Sequence, residues 1–166
     1  MKKITKLRRI RQQLSDAECE ALLMSASSGV LSLVGEDGYP YAVPLSFVYH
    51  EGTIYFHTST KGEKMEAMKH DNKASFCVIA KDDVVPSKFT TRYQSVVSFG
   101  TVRLVDEFDE QLQVLHWLAD KYSPGELGFE KEVADARGHL SVIAMDIELM
   151  TGKQGRELMS QKQKKQ

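Results

Sequence analysis

Two lysines near the middle of the chain, Lys61 and Lys64, sit where simple electrostatics would not place them. Thr60 followed three residues later by Glu63 has the pattern of a capping box, so the sequence predicts a helix with Lys61 at its first position and Lys64 at its fourth. The free N–H groups of a helix start carry partial positive charge and favour acids. Two other predicted starts obey that rule: Ser15 precedes Asp16, Glu18 and Glu20, and Asp106 precedes Glu107, Asp109 and Glu110. A bound anion would reconcile ammonium groups with backbone donors at the third start, and a phosphate suits both. The ordinary alternative is a pair of solvated lysines on the exposed side of a short amphipathic helix. The run 53–58 ahead of them favours the anion, because it reads as a strand, and a strand feeding a helix start is a recurrent phosphate-binding geometry.

The elements that would position this corner can be read in chain order. A helix is expected over 15–25, then a strand at 29–34, a turn at 35–38 and a second strand at 39–43 that continues through 46–50. Pro40 and Pro44 lack N–H donors, which confines them to an edge, a strand end or a bulge. Glu51 and Gly52 turn the chain into 53–58, so three consecutive antiparallel strands are expected to lead to the lysines. The lysine-bearing helix should end at 70–72, before a strand at 74–80 and a polar loop through Asp82, Asp83 and Pro86. The strand-like run 93–105 is interrupted by Gly100, which marks a bulge or bend. Residues 108–122 make the strongest helical pattern, with Phe108, Leu112, Leu115, Leu118 and Ala119 on one face and His116 and Trp117 read as packing residues. A further helix at 126–137 and an apolar strand at 140–147 complete the list. Strands without a repeating strand-helix-strand order predict a mainly β fold, a small antiparallel barrel with peripheral helices.

At 166 residues and 42% hydrophobic content the chain fits one domain, assigned to 15–156 between a basic N-terminal arm (1–14) and a disordered polar tail (157–166). No window approaches the ~20 apolar residues that span a bilayer. The arm (Lys2, Lys3, Lys6, Arg8, Arg9, Arg11) runs into polar Gln12 and Gln13 instead of an apolar secretory core, so a cytoplasmic protein without a membrane partner is expected. A net charge of -1 argues against nucleic acid as a partner. Cys19 and Cys77 are too few and too far apart for a disulfide framework. The dinucleotide, P-loop, zinc-protease and hydrolase-elbow motifs are missing, and the five histidines show no metal-ligand spacing. With a phosphate corner and no side chain nominated as nucleophile, reactivity would come from a cofactor.

Several short motifs fall in a familiar order: Arg8, Arg9 and Arg11; the stretch from Asp37 through Tyr39, Pro40, Val43, Pro44 and Leu45 to Ser46; Ile54-Tyr55-Phe56-His57; Gly62 and Lys64; Phe89-Thr90-Thr91-Arg92-Tyr93 with Ser95; Phe99-Gly100; and Thr151-Gly152-Lys153. From about Arg8 to Arg156 the chain resembles nitroimidazole-resistance-like flavoproteins of the pyridoxamine-phosphate-oxidase-like split-barrel superfamily. The resemblance implies a six-stranded antiparallel split barrel that forms a homodimer, with FMN, or FAD in its place, held in clefts between subunits. It implies Lys64 as the phosphate lysine with Lys61 as helper, Thr58 and Ser59 as hydroxyl or backbone donors, Pro44, Leu45 and Ser46 along the isoalloxazine edge, and Tyr93 and Ser95 in the cleft wall. His57 matches a histidine that faces the flavin and is the one side chain expected to place or protonate a small-molecule substrate; the alternative is a strand histidine that shapes the pocket. Glu63 departs from many relatives and sits awkwardly beside a phosphate unless it turns into the capping box. The activity implied is an FMN-dependent oxidoreductase passing electrons from a nicotinamide donor to an electron-poor acceptor such as a nitroaromatic or quinone. A flavin-storing or flavin-sensing protein without catalysis, and a haem or deazaflavin binder on the same barrel, remain the alternatives.

Overall fold

Side chains alternate along the strands between an apolar interior and an outer surface, and that alternation organises the molecule. The computed structural model describes residues 9–136 and 138–163, with side chains through Met159; Lys2, Lys3, Lys6 and Arg8 of the expected arm lie outside the described residues. The elements run β1 (Gln13–Leu14), α1 (Asp16–Ser25), β2 (Gly29–Val34), β3 (Pro40–Leu45), β4 (Val48–His50), β5 (Thr53–Ser59), α2 (Glu63–His70), β6 (Lys73–Val85), β7 (Thr90–Leu104), α3 (Phe108–Tyr122), α4 (Phe129–Asp135), β8 (Leu140–Gln154) and α5 (Arg156–Gln163). All strand pairs are antiparallel, in the order β3-β2-β6-β7-β8-β5-β4, with β1 added to β8.

Chain reach explains why this sheet curls. β3 and β4 lie at opposite edges of the sheet, yet only Ser46 and Phe47 separate them in sequence. Three Cα steps of ~3.8 Å reach about 11 Å at most, so the two edges converge and the sheet becomes a barrel. The barrel stays split: β3 and β4 share no ladder among the described residues, and β2 meets β6 only through Val30, Leu31 and Ser32. Leu31, Leu33, Ile54, Phe56, Phe76, Val78 and Val96 fill the interior with essentially no exposure. The Phe76 ring stands edge-on to Phe47 and Phe56, with centroids 4.8 Å and 5.1 Å away, an arrangement the aromatic quadrupoles favour.

Helix α1 packs against this core. Its capping box forms as the sequence predicts: Ser15 Oγ accepts from the Glu18 N–H (3.3 Å), and the Glu18 carboxylate accepts from the Ser15 N–H (2.8 Å). Cys19 is buried against Gly152, where a Cβ would collide with its sulfur, and burial with help from Asp16, Glu18 and Glu20 pushes the Cys19 thiol up to about 11. That holds it neutral and inert near neutral pH.

The outer surface is divided. Helix α3 covers part of it, burying Val114 and Leu118 against Tyr55, Val142 and Ala144. Elsewhere, register places Val30, Cys77, Val97 and Thr151 side by side across β2, β6, β7 and β8, with Phe99 and Leu149 beside them on the same face. All of these are half-buried, and Ile79 on that face is 67% exposed.

Four expectations change. Among the described residues eight strands replace six, because β1 and β4 are short separate strands. The strands before the lysines are not a three-stranded meander: β2 and β3 pair as a hairpin, but β4 pairs with β5 across the barrel. Asp82 and Asp83 lie within β6, paired with Tyr93 and Arg92, since ladder hydrogen bonds override local turn preference. Helix α5 covers residues 157–163 of the expected tail (157–166), with Leu158 buried.

Gly100 interrupts the strand as expected. The β7–β8 register shifts between Phe99 and Gly100, and a Cβ on Gly100 would collide with the Asp146 carbonyl. We expect Gly100→Ala to lower unfolding free energy by roughly 2–3 kcal/mol in urea titration; a loss below about 0.5 kcal/mol would show that the bulge relocates.

Candidate functional site

The lysine corner forms at the end of β5, but not as a capping box. Gly62, at φ 118° and ψ 178°, is the N-cap of α2, and no side chain among the described residues caps the helix. A left-handed φ suits glycine, so the start of the helix is set by Gly62 and not by Thr60. The Thr60 N–H instead donates to the His139 carbonyl (3.2 Å), tying the corner to the start of β8. Lys61 therefore precedes the helix, and Lys64 is its second residue, half-buried. Glu63 and Glu66 stand in the first turn, and Glu66 binds Lys69 at 2.9 Å, so this helix start is less anomalous in charge than the sequence suggested. What remains is geometric: an uncapped helix start, Lys64 beside it, exposed Lys61 before it, and the Ser59 hydroxyl accepting from the Lys61 N–H at 3.4 Å.

Alternation along β5 sorts the neighbouring donors. His57 and Ser59 are exposed on the outer face, whereas Thr58 is buried with Ile54 and Phe56. The Thr58 hydroxyl is thus turned away from the side chains with which it was grouped, leaving its backbone as the part on offer.

His57 opens onto a cavity of about 360 Å³ between the barrel and the α3–α4 pair. Leu115 and Leu118 of α3, Phe129 and Val133 of α4 and Leu140 of β8 make it apolar; Ser46, His57, Tyr122 and Glu132 supply its polar groups. The His116 and Phe129 rings lie 4.1 Å apart and hold α4 to α3. A larger groove of about 460 Å³ lies over Ser32, Pro40, Lys73, Phe99 and Glu148 and contains none of the predicted site residues. The smaller cavity is the stronger candidate because an imidazole, hydroxyls and a carboxylate border its apolar surface.

Pro44 and Leu45 end the edge strand β3, paired with Val30 and Gly29, and deliver Ser46 into the cavity beside His57. Edge placement satisfies both prolines. Tyr93 and Ser95 are elsewhere. Ser95 pairs with Lys153 whereas His57 pairs with Val142, and the contour of β8 from 142 to 153 is roughly 35 Å. One chain therefore gathers Ser46, His57, Ser59, Lys61 and Lys64 along neighbouring segments and leaves Tyr93 and Ser95 apart, on the half-buried outer face of β7.

Sequence reading missed the helical side of this site. Leu115 and Leu118 fall on one apolar face of the helical pattern without a marked role in a site, and nothing in the pattern 126–137 marks Phe129 or Glu132 as cavity residues. It also missed Lys121 and Tyr122, whose polar heads reach the Ser46–Phe47 link: Lys121 Nζ donates to the Phe47 carbonyl (2.9 Å), and the Phe47 N–H donates to the Tyr122 hydroxyl (2.9 Å). Burial lowers the pKa of the Lys121 ammonium from its ordinary value. Among the described residues no cluster of three or more His, Cys, Asp or Glu side chains could hold a metal ion, and no helix is long and apolar enough to cross a membrane.

Comparison with solved structures places the architecture among known folds. A conserved hypothetical protein from Mycobacterium tuberculosis superposes with a TM-score of 0.80 at 20% identity, covering 93% of each chain. A candidate 5-nitroimidazole antibiotic resistance protein from Bacteroides thetaiotaomicron gives a TM-score of 0.74 at 20% identity over 85% of each chain. An FAD- and haem-binding protein from Mycobacterium smegmatis gives 0.72 at 25% identity, covering 87% of this chain and 74% of its own. No curated protein matches in sequence. The model of the pyridoxamine 5'-phosphate oxidase family matches residues 15–154, from the cap of α1 to the last residue of β8. With that match spanning nearly every element of the barrel, the chain belongs to the pyridoxamine 5'-phosphate oxidase family.

Proposed function

We propose that the protein binds a flavin, FMN in the first instance, and serves as an oxidoreductase for a small electron-poor acceptor such as a nitroimidazole, another nitroaromatic or a quinone. The observation that carries this reading is the continuity of two unlike environments: an uncapped helix start flanked by Ser59, Lys61 and Lys64, and, directly upstream on β5, His57 facing an apolar cavity. A phosphate suits the first, and a flat aromatic ring system suits the apolar wall leading to the second. Family membership and the FAD- and haem-binding neighbour support the cofactor class.

In this reading Lys64 and the N–H groups at the start of α2 hold the phosphate, Lys61 adds charge, and Ser59 offers its hydroxyl. Pro44, Leu45 and Ser46 present an edge-strand backbone to the polar rim of the ring. The chemistry supplied by the bound cofactor is two-electron carriage from a nicotinamide donor to the acceptor. Leu115, Leu118 and Phe129 exclude water from the acceptor, and His57 Nδ1 or Nε2 delivers the proton that accompanies reduction.

The cleft is completed by a second copy of the chain. Tyr93 and Ser95 share an outer face with Ile79, Val97 and Phe99, and a two-fold axis through that apolar face would bury it while carrying each Tyr93 toward the partner's flavin corner. Two free cysteines agree with a reducing, cytoplasmic setting. A haem reading has in its favour an exposed His57 and a neighbour that binds both groups.

Four measurements test these assignments. The spectrum of purified protein, with the mass of the released chromophore, should identify FMN; a Soret band would move the assignment to haem, and FAD would keep the phosphate corner but enlarge the ligand. Lys64→Ala should weaken flavin binding by roughly 1.5–3 kcal/mol, and Lys61→Ala with Lys64→Ala by more; equal affinity in the double variant removes the phosphate assignment. His57→Asn should slow acceptor reduction by about 10²-fold or more with flavin still bound, whereas unchanged turnover reduces His57 to a pocket-shaping role. For the dimer, Val97→Lys should give a monomer in sedimentation and lose flavin; a flavin-loaded Val97→Lys monomer rejects the shared cleft.

A further inference from the structure

The short link that closes the barrel is held by the last turn of α3, and this hold reaches the candidate site. Phe47 is fully buried, and both of its backbone polar groups are engaged by side chains from α3. Its N–H donates to the Tyr122 hydroxyl (2.9 Å), and its carbonyl accepts from Lys121 Nζ (2.9 Å). The Tyr122 oxygen also lies 2.7 Å from the Ser27 carbonyl and 2.8 Å from the Phe47 carbonyl. A phenol has one proton to give. Lys121 resolves that shortage: by satisfying the Phe47 carbonyl, it frees the Tyr122 proton for Ser27, so the segment before β2, the β3–β4 link and α3 meet in one network. Lys121 Nζ further stands 4.1 Å from the Phe47 ring centroid, and that ring is edge-on to Phe76. The residue before Phe47 is Ser46, which enters the same cavity as His57 and Tyr122.

We propose that Lys121 and Tyr122 are positioning residues, which fix the Phe47 peptide and thereby set Ser46 against His57 at the ring-binding end of the site. Neither touches the reacting atoms in this role. Lys121 is outside the residues that line the His57 cavity, so its influence there passes through Phe47. The cofactor readout below rests on the flavin reading; the other readouts do not.

Lys121→Met keeps the side-chain stem and removes the donor; Tyr122→Phe keeps the ring and removes the hydroxyl. In each, hydrogen exchange at the Phe47 amide, the imidazole signals of His57 by NMR, and the affinity and visible absorption of added FMN are measured beside thermal unfolding. We expect about tenfold faster Phe47 exchange, displaced His57 signals, a displaced flavin band and about fivefold weaker FMN binding, with a cooperative fold retained. Lys121→Arg, which keeps a cationic donor, should restore all of them. Lys121→Met with faster exchange but unaltered His57 signals overturns the proposal and leaves the clamp a matter of stability alone. If the parent protein binds no flavin, the proposed function falls while the His57 signals still decide the positioning role. Should Lys121→Met fail to fold, Tyr122→Phe decides on the same signals, with unchanged His57 resonances again counting against the link.

Discussion

The structure depends on one constraint of chain reach. Leu45 ends one edge of the sheet, Val48 begins the other, and two residues join them. No flat or gently twisted sheet of this width can satisfy so short a link, so curvature is imposed by connectivity before packing refines it. Phe47 is then buried in the core, where its ring meets Phe76 while its peptide is held by Lys121 and Tyr122. Closure, core and candidate site therefore share one dipeptide, and Ser46 is displayed at the cavity because Phe47 is committed to the core.

A barrel closed this way has an outer surface to dispose of. Helix α3 covers one part and in doing so builds the cavity above His57; half-buried apolar side chains from Val30 to Leu149 mark another. The two regions carry different halves of the predicted site. His57, Ser59, Lys61 and Lys64 border the first, while Tyr93 and Ser95 belong to the second. Residues paired with the two ends of β8 lie far apart along one chain, and that separation is what the proposed second copy would answer.

Local patterns gave good access to elements. The bounds of β2 and α3 follow from apolar periodicity and flanking turn residues, the capping box of α1 forms with both hydrogen bonds, and Gly100 marks a true register shift. Local patterns failed where a neighbour in space outbid them. Asp82 and Asp83 look like loop residues but are recruited into β6 by the long β7 strand. Thr60 and Glu63 look like a cap and its partner, yet the Thr60 N–H is taken by His139 and the start of the helix passes to Gly62. The charge conflict at Lys61 and Lys64 is correspondingly milder, while their placement at an uncapped helix start survives.

Taken alone, the sequence determined the mainly β class, the confinement of Pro40 and Pro44 to an edge, a strand end or a bulge, and the family resemblance, and it marked the segment proposed for an anion site, because each rests on side-chain alternation, missing N–H donors or motifs within a few consecutive residues. It could not determine that β4 crosses to the far edge, that Thr58 turns inward while His57 and Ser59 face out, that α3 and α4 wall the cavity, or that Lys121 and Tyr122 grip a peptide more than seventy positions upstream. Those outcomes are set by contacts between distant segments, whose energies depend on how the whole sheet closes and leave no imprint on the spacing of neighbouring residues.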